Sequence, residues 1–366
     1  MGGMSDGNEL LLYIEGDAAF DAMLAAIRHA RHRIWLETYI LEQDSLGNRV
    51  LHALADAAGR GVEVVLLFDA LGSSSISDDA LLLLRSRGGR VAAFNPLLSL
   101  PRPLPATMRD HRKILVIDDS FGFCGGMNIS ADYAGPRLGN GRFRDTHLGV
   151  AGPAVWELAS LFASSFLHAT GERLAPGPAM KPRPAGARVQ VLGSDQRRRK
   201  RHIQRSLQRV VEHAAVRVWL TTPYFIPPPR VLAALGRAAS RGVDVRILTA
   251  GVSDVPLAAS AARHLYGRLL EHGVRIFEFK SAVLHAKTAV VDGSWASVGS
   301  FNLDRWSYER NLEVAVMALD TGFAADLEEV FLRDLRTSEE VHLEAWRRRS
   351  VMDAVAGFVS YHLARL

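Results

Sequence analysis

Two histidines in this chain each stand two residues ahead of a lysine and seven ahead of an aspartate. They are His111, Lys113 and Asp118 in HRKILVIDDSFGFCGGMN, and His285, Lys287 and Asp292 in HAKTAVVDGSWASVGSFN. The second set repeats the first at an offset of 174, which also pairs Gly125 with Gly299 and Asn128 with Asn302. Imidazole can act as nucleophile or as proton carrier near neutral pH. A metal site fits poorly, because a lysine beside each histidine repels a cation and the spacing departs from the usual zinc arrangements. Phosphate fits better. Lys113, Lys287, Asn128 and Asn302, with Gly126 and Ser300 beside them, can hold the oxygens of a phosphodiester and stabilise charge without a metal.

Two imidazoles also give the duplication a reason. One attacks phosphorus to form a covalent phosphohistidine; the other protonates the departing alkoxide and then deprotonates the incoming hydroxyl. The expectation is that His111 and His285 face each other across one phosphorus. A nucleophilic histidine needs a carboxylate to orient its other ring nitrogen. Asp145, in FRDTH, lies 34 residues after His111, and Glu313, in NLEV, lies 28 after His285. Asp118 and Asp292 complete the catalytic motif, and their place at a strand end beside a turn also suits a structural role in capping backbone groups.

The elements that must position these groups repeat in the same order. KILVI and KTAVV read as strands, on which His and Lys two residues apart emerge on one face. FGFCGGMN and WASVGSFN read as neighbouring strands that turn at small residues. Earlier in each half, RIWLETYI answers RVWLTTPYF, RGVEVVLLFDA answers RGVDVRILTA after an alanine-rich amphipathic helix, and GGRVAAF answers GVRIFEF. Strands alternating with helices imply an α/β fold in each half, with helices covering a mixed, largely parallel sheet. The expected organisation is a first domain over 1–170, a linker over 171–188 rich in proline, a second domain over 189–345, and a basic amphipathic helix over 346–366.

A chain of 366 residues has ample apolar content for two domains. Lysine and arginine exceed aspartate and glutamate by 44 to 39, with basic runs at Arg197 to Arg201 and Arg347 to Arg349. Such runs favour anionic partners, phospholipid or nucleic acid. The single Cys124 excludes an intrachain disulfide. The first residues lack the pattern of a secretory signal, and no run approaches the roughly 18 apolar residues that span a bilayer. The chain therefore reads as soluble or peripheral, and cytoplasmic. Val351, Val355, Phe358, Val359, Leu363 and Leu366 recur near helical spacing beside three arginines. That stripe suits either an anionic membrane surface or packing on the protein's own core. The apolar segment NPLLSLPRPLPATM, from Asn95, could line a lipid entrance or simply pack as a loop.

Taken together, HRKILVID with GGMNIS, HAKTAVVD with GSFNLD, TPYFIP, RGVDVRIL, NLEV and FRDTH resemble the phospholipase D superfamily, and within it the bacterial cardiolipin synthases. The resemblance runs from about Leu11 to the C-terminus. It implies two tandem phospholipase D-like α/β/α domains related by a pseudo-twofold axis. It further implies His111 as nucleophile, His285 as general acid/base, Lys113, Lys287, Asn128 and Asn302 on phosphate, and Asp145 and Glu313 as histidine orienters. No metal or cofactor is implied. The reaction implied moves a phosphatidyl group from one phosphatidylglycerol to another and releases glycerol, on the inner face of the cell membrane. The chain resembles the short forms that lack two N-terminal transmembrane helices, and the run from Arg197 matches no family pattern. A hydrolase acting on phospholipid or nucleic acid would use the same residues with water as acceptor, although no basic groove interleaved with aromatics of the kind single strands favour is evident. A non-catalytic binding relic is disfavoured because both motifs are complete.

Overall fold

The computed structural model describes residues 3–96, 105, 107–194 and 202–364. The basic run from Arg197 lies outside them, as does most of the apolar segment after Asn95. Up to Gly193 the elements are β1 (Ser5–Tyr13), α1 (Gly16–His29), β2 (Arg33–Thr38), α2 (Ser45–Gly59), β3 (Glu63–Asp69), α3 (Asp78–Ser86), β4 (Arg90–Phe94), β5 (Arg109–Asp110), β6 (Ile114–Ile117), β7 (Phe121–Gly125), β8 (Phe143–Arg144), β9 (His147–Ala151), α4 (Val155–Thr170) and β10 (Ala187–Gly193). From His202 they are α5 (His202–His213), β11 (Arg217–Thr221), α6 (Pro229–Ser240), β12 (Asp244–Ala250), α7 (Pro256–His264), α8 (Tyr266–Glu271), β13 (Arg275–Phe279), β14 (Val283–Leu284), β15 (Thr288–Val291), β16 (Trp295–Gly299), α9 (Arg305–Glu309), β17 (Asn311–Leu312), β18 (Val314–Leu319), α10 (Thr321–Leu335), β19 (Ser338–Val341), α11 (Leu343–Arg347) and α12 (Val351–Leu363). None of the described helices is long and apolar enough to cross a membrane.

Two compact units result, and their boundaries do not follow the repeat. The first takes Met1–Asp195 together with Val298–Ser300 and Arg310–Met317; the second takes Gln196–Ser297, Phe301–Glu309 and Ala318–Leu366. Strand β17 and most of β18, which come late in the chain, thus belong with the first motif. The expected basic helix over 346–366 is instead two helices, α11 and α12, separated by a break at Arg348 to Ser350.

In the first unit the strands run in the order β10-β1-β9-β7-β6-β2-β3-β4. Strands β2, β3 and β4 pair in parallel, whereas β2–β6, β6–β7, β7–β9, β1–β9 and β1–β10 are antiparallel, so the sheet is mixed. Apolar runs such as VVLLF in β3 and ILVI in β6 are buried along their whole length, as strands covered on both faces require. Helices α1 and α2 close one face through Phe20, Ile27, Val50 and Leu54, packed on Leu36, Leu66 and Leu115. The second unit repeats the plan with β11, β12 and β13 in parallel and β15 and β19 antiparallel at either end. Trp219 of β11 stacks on Phe331 of α10 at 5.2 Å in its core.

Each motif's strand ends in a matched turn. Asp118 and Asp292 adopt φ of 50° and 52°, in the left-handed region that aspartate tolerates better than most residues. The Asp118 carboxylate accepts the backbone N–H groups of Arg31, His32 and Arg33, and that of Asp292 accepts those of Ala215, Val216 and Arg217. Burial works against each charge, but the three amides prevail and hold both pKa values below the ordinary one.

Candidate active site

His111 and Glu313 are brought together by register. Strand β17 pairs in parallel with β5, setting Asn311 against Arg109 and Leu312 against Asp110. The next step of that ladder, His111 N–H donating to Leu312 O at 2.9 Å, sets His111 beside Glu313. The two side chains then meet, Nδ1 lying 3.1 Å from Glu313 Oε2 across 202 residues of sequence. Strand β5 itself is pinned by Asp69 at the end of β3, which accepts Asp110 N–H at 2.8 Å and the Arg109 guanidinium at 3.2 Å. Burial is the main cause that raises Asp69 to about 6.

The backbone of Glu313 is held from several sides. Ser194 N–H and Arg112 Nε both donate to its carbonyl, and its own N–H donates to Ser194 Oγ at 2.8 Å. The other arms of Arg112 reach Ser194 O and Ser165 Oγ. Its carboxylate, fully buried, also accepts the Ser300 hydroxyl. Burial alone would favour the neutral acid, but His111, Lys113 and Ser300 outweigh it and hold Glu313 below its ordinary pKa. Because a carboxylate only accepts, His111 carries a proton on Nδ1, and its other ring nitrogen is Nε2.

Lys113 and His111 share a neighbour that the sequence did not mark, Tyr39, whose ring meets His111 edge-on at 4.9 Å and lies 5.2 Å from Lys113 Nζ. The strand begins only at Ile114, so Lys113 curls back and donates to His111 O at 2.9 Å. In the second unit β15 likewise starts after Lys287, whose Nζ lies 2.8 Å from His285 Nδ1 and also donates to His285 O. Both histidines and both lysines are buried.

Several expected phosphate contacts are otherwise engaged. Asn128 uses its oxygen to accept Ile40 N–H and its nitrogen to donate to the Tyr133 hydroxyl. Gly126 N–H donates to Thr146 O, and the Ser300 hydroxyl serves Glu313. Each of these three thus holds one of the protein's own groups. Asn302 differs, because its buried oxygen has no hydrogen-bond partner among the described residues. At Asp118 and Asp292 the three backbone amides on each carboxylate are the capping contacts that a strand end beside a turn suits. Asp145 accepts Thr146 N–H and packs so tightly under Gly126 that a Cβ there would come within 2.1 Å of Oδ1.

Two buried groups were missed. Burial lowers His147, on β9, to about 4 and keeps it neutral, and its Nδ1 has no hydrogen-bond partner among the described residues. Glu37, on β2, is pushed well above its ordinary range first by burial and then by the neighbouring Asp110 carboxyl. Neither Glu37 oxygen nor Asp110 Oδ2 finds a donor among the described residues. A proton retained on Glu37 can be donated to the adjacent Asp110 carboxyl.

The sequence model for the family described as cardiolipin synthase, PLD-like domain, matches residues 23–137 and 207–335. The chain belongs to this family. Membership makes it an enzyme, a phosphatidyltransferase of the phospholipase D superfamily. It is 33% identical to the cardiolipin synthase of Geobacillus kaustophilus (strain HTA426), over 99% of this chain and 73% of the relative. It is 36% identical to cardiolipin synthase A of Pseudomonas aeruginosa (strain PAO1), over 94% of this chain and 70% of the relative. Among solved structures, the phosphatidylserine synthase of Haemophilus influenzae Rd KW20 superimposes with a TM-score of 0.75 at 13% identity, covering 99% of this chain and 94% of that one. That likeness speaks to fold alone.

Proposed function

We propose that this enzyme makes cardiolipin by moving a phosphatidyl group from one phosphatidylglycerol to a hydroxyl of a second. His111 Nε2 forms a bond to phosphorus while the bond from phosphorus to the glycerol oxygen breaks, and His285 gives that oxygen its proton. His285 then takes the proton of the incoming hydroxyl, whose oxygen bonds to phosphorus as the bond to His111 breaks. Lys113, Lys287 and Asn302 stabilise the phosphoryl oxygens, and Asp145 serves as the second orienting carboxylate. The enzyme works as a peripheral protein on the inner face of the cell membrane, where both substrates lie.

The observation that carries this reading is the contact between His111 Nδ1 and Glu313, which fixes the tautomer an attacking imidazole needs. Family membership supplies the substrate class. The test is incubation of the purified protein with phosphatidylglycerol vesicles, followed by lipid analysis. Cardiolipin plus glycerol is the expected outcome, with His111→Ala abolishing both turnover and any covalent phosphatidyl-enzyme. Phosphatidic acid as the sole product would replace the transferase with a hydrolase, and nicking of DNA without lipid turnover would replace it with a nuclease.

A further inference from the structure

Helix α12 is packed inside out. Its inward side carries the small residues Gly357 and Ser360, which are its buried positions, and a Cβ added at Gly357 would make ordinary van der Waals contact with Ser260 O of α7 at 3.4 Å. His264 of α7 packs against Phe358 and Tyr361. The large apolar side chains lie open on the other side: Val351 and Met352 are 79% and 81% exposed, Val355, Val359 and Leu363 about half exposed, and Phe358, also half exposed, sits at the edge where it meets His264. At 100° per residue these six fall within one face about 140° wide. A helix that served the protein's own core would bury that face and expose the small one.

The surroundings say what covers it. Asp353, the helix's one acid, receives the Ser350 hydroxyl and lines a cavity of about 490 Å³ on the inner flank with Arg263, Glu278 and Lys280, leaving the apolar face free of negative charge. Just before the helix, Arg347, Arg348 and Arg349 are exposed; Arg347 pairs with Glu271, and Arg349, stacked on Trp346 at 4.6 Å, also borders that cavity. Apolar side chains flanked by guanidinium groups match the boundary between acyl chains and anionic headgroups. The helix also adjoins the second motif's region. Tyr361 lines a smaller cavity, about 240 Å³, with Ile226, Pro227 and Arg305. Ile226 N–H donates to the carbonyl of Leu303, the residue after Asn302.

We infer that the outward face of α12, with the arginines ahead of it, seats the protein on an anionic phospholipid bilayer. This rests on the proposed lipid substrate only in naming the partner; the geometry that calls for a covering surface stands by itself. The helix lies in the headgroup region, its axis along the membrane, and holds the second motif's end near the lipid.

The test is co-sedimentation of the full chain with vesicles of phosphatidylcholine and phosphatidylserine in equal parts, against vesicles of phosphatidylcholine alone. The comparison includes the triple variant M352S/V355S/V359S, whose changes fall on exposed positions and leave the thermal unfolding profile unaltered. The wild type is expected to bind the anionic vesicles, more weakly as salt rises, and the variant at least tenfold more weakly. Turnover of a short-chain, monomeric phosphatidylglycerol stays unchanged in the variant. Equal binding by both proteins overturns the inference. So does a wild-type dimer in the absence of lipid that the variant dissociates while vesicle binding is unaffected, because the face then belongs to a second copy. Helix-dependent binding with no lipid turnover by the wild type would leave the docking surface standing and remove the proposed reaction instead.

Discussion

Replacing Glu313 with glutamine keeps the shape of the side chain and removes its charge. In the wild type the carboxylate sits 3.1 Å from His111 Nδ1, fully buried, with Ser300 on the same oxygen. At an effective dielectric of about 20, Coulomb's law places a full charge pair at that separation near 5 kcal/mol. Glutamine still offers a carbonyl to Nδ1–H, so a neutral hydrogen bond of about 1 kcal/mol survives. The remainder, roughly 3–4 kcal/mol, is what the imidazolium character developing on His111 during attack would lose, and it corresponds to a fall of about 10²–10³-fold in kcat. KM should change little, because the charge matters as the phosphohistidine forms rather than on binding. The assay is initial-rate kinetics on phosphatidylglycerol in mixed micelles, with a quenched measurement of covalent phosphatidyl-enzyme. A fall in kcat below tenfold, or a change confined to KM, would refute the assignment of Glu313 to the nucleophile.

Glu37→Gln tests the raised pKa of that carboxyl. A group whose folded pKa is raised contributes stability that is complete below its unfolded value near 4.5 and is lost as pH rises through the folded one. Glutamine stays neutral throughout, so the variant's Tm relative to wild type should climb with pH above 4.5; a difference independent of pH would show that Glu37 is already ionised. Asp118→Ala removes the acceptor of three backbone N–H groups and places alanine at positive φ. Unfolding in urea should show a loss of about 2 kcal/mol or more with kcat per folded molecule unchanged. Gly126→Ala would put a methyl group within 2.1 Å of Asp145 Oδ1. The carboxylate must move, so turnover should fall at least tenfold (about 1.4 kcal/mol) while circular dichroism stays native, and full activity would argue that the placement of Asp145 is immaterial.

The repeat, the alternation of strands and helices and the two His-x-Lys-x4-Asp motifs were legible because they depend on local spacing. Partners that meet through the fold were not. Glu313 reaches His111 because β17 lies against β5, a pairing that no periodicity in either segment announces. Nor did the small residues near each turn announce that Ser300 would meet Glu313 or that Gly126 would lie over Asp145. The turn at Asp292, followed by Gly293 and Ser294, carried its own signal in the Asp-Gly pair, which favours positive φ. For α12 the apolar stripe was visible, but a stripe is the same whether it faces a core or a membrane. The telling residues were the small ones opposite, Gly357 and Ser360.

That the carboxylate beside His111 comes from so far along the chain has a consequence for how the enzyme comes into being. A fragment ending before Arg310 carries His111 without Glu313, whatever else of the first unit has formed. At roughly 5–20 residues per second, a ribosome needs about 10–40 s to travel from one to the other. During that interval His111 lacks its contact with Glu313. The contact can form only once the chain extends past Glu313.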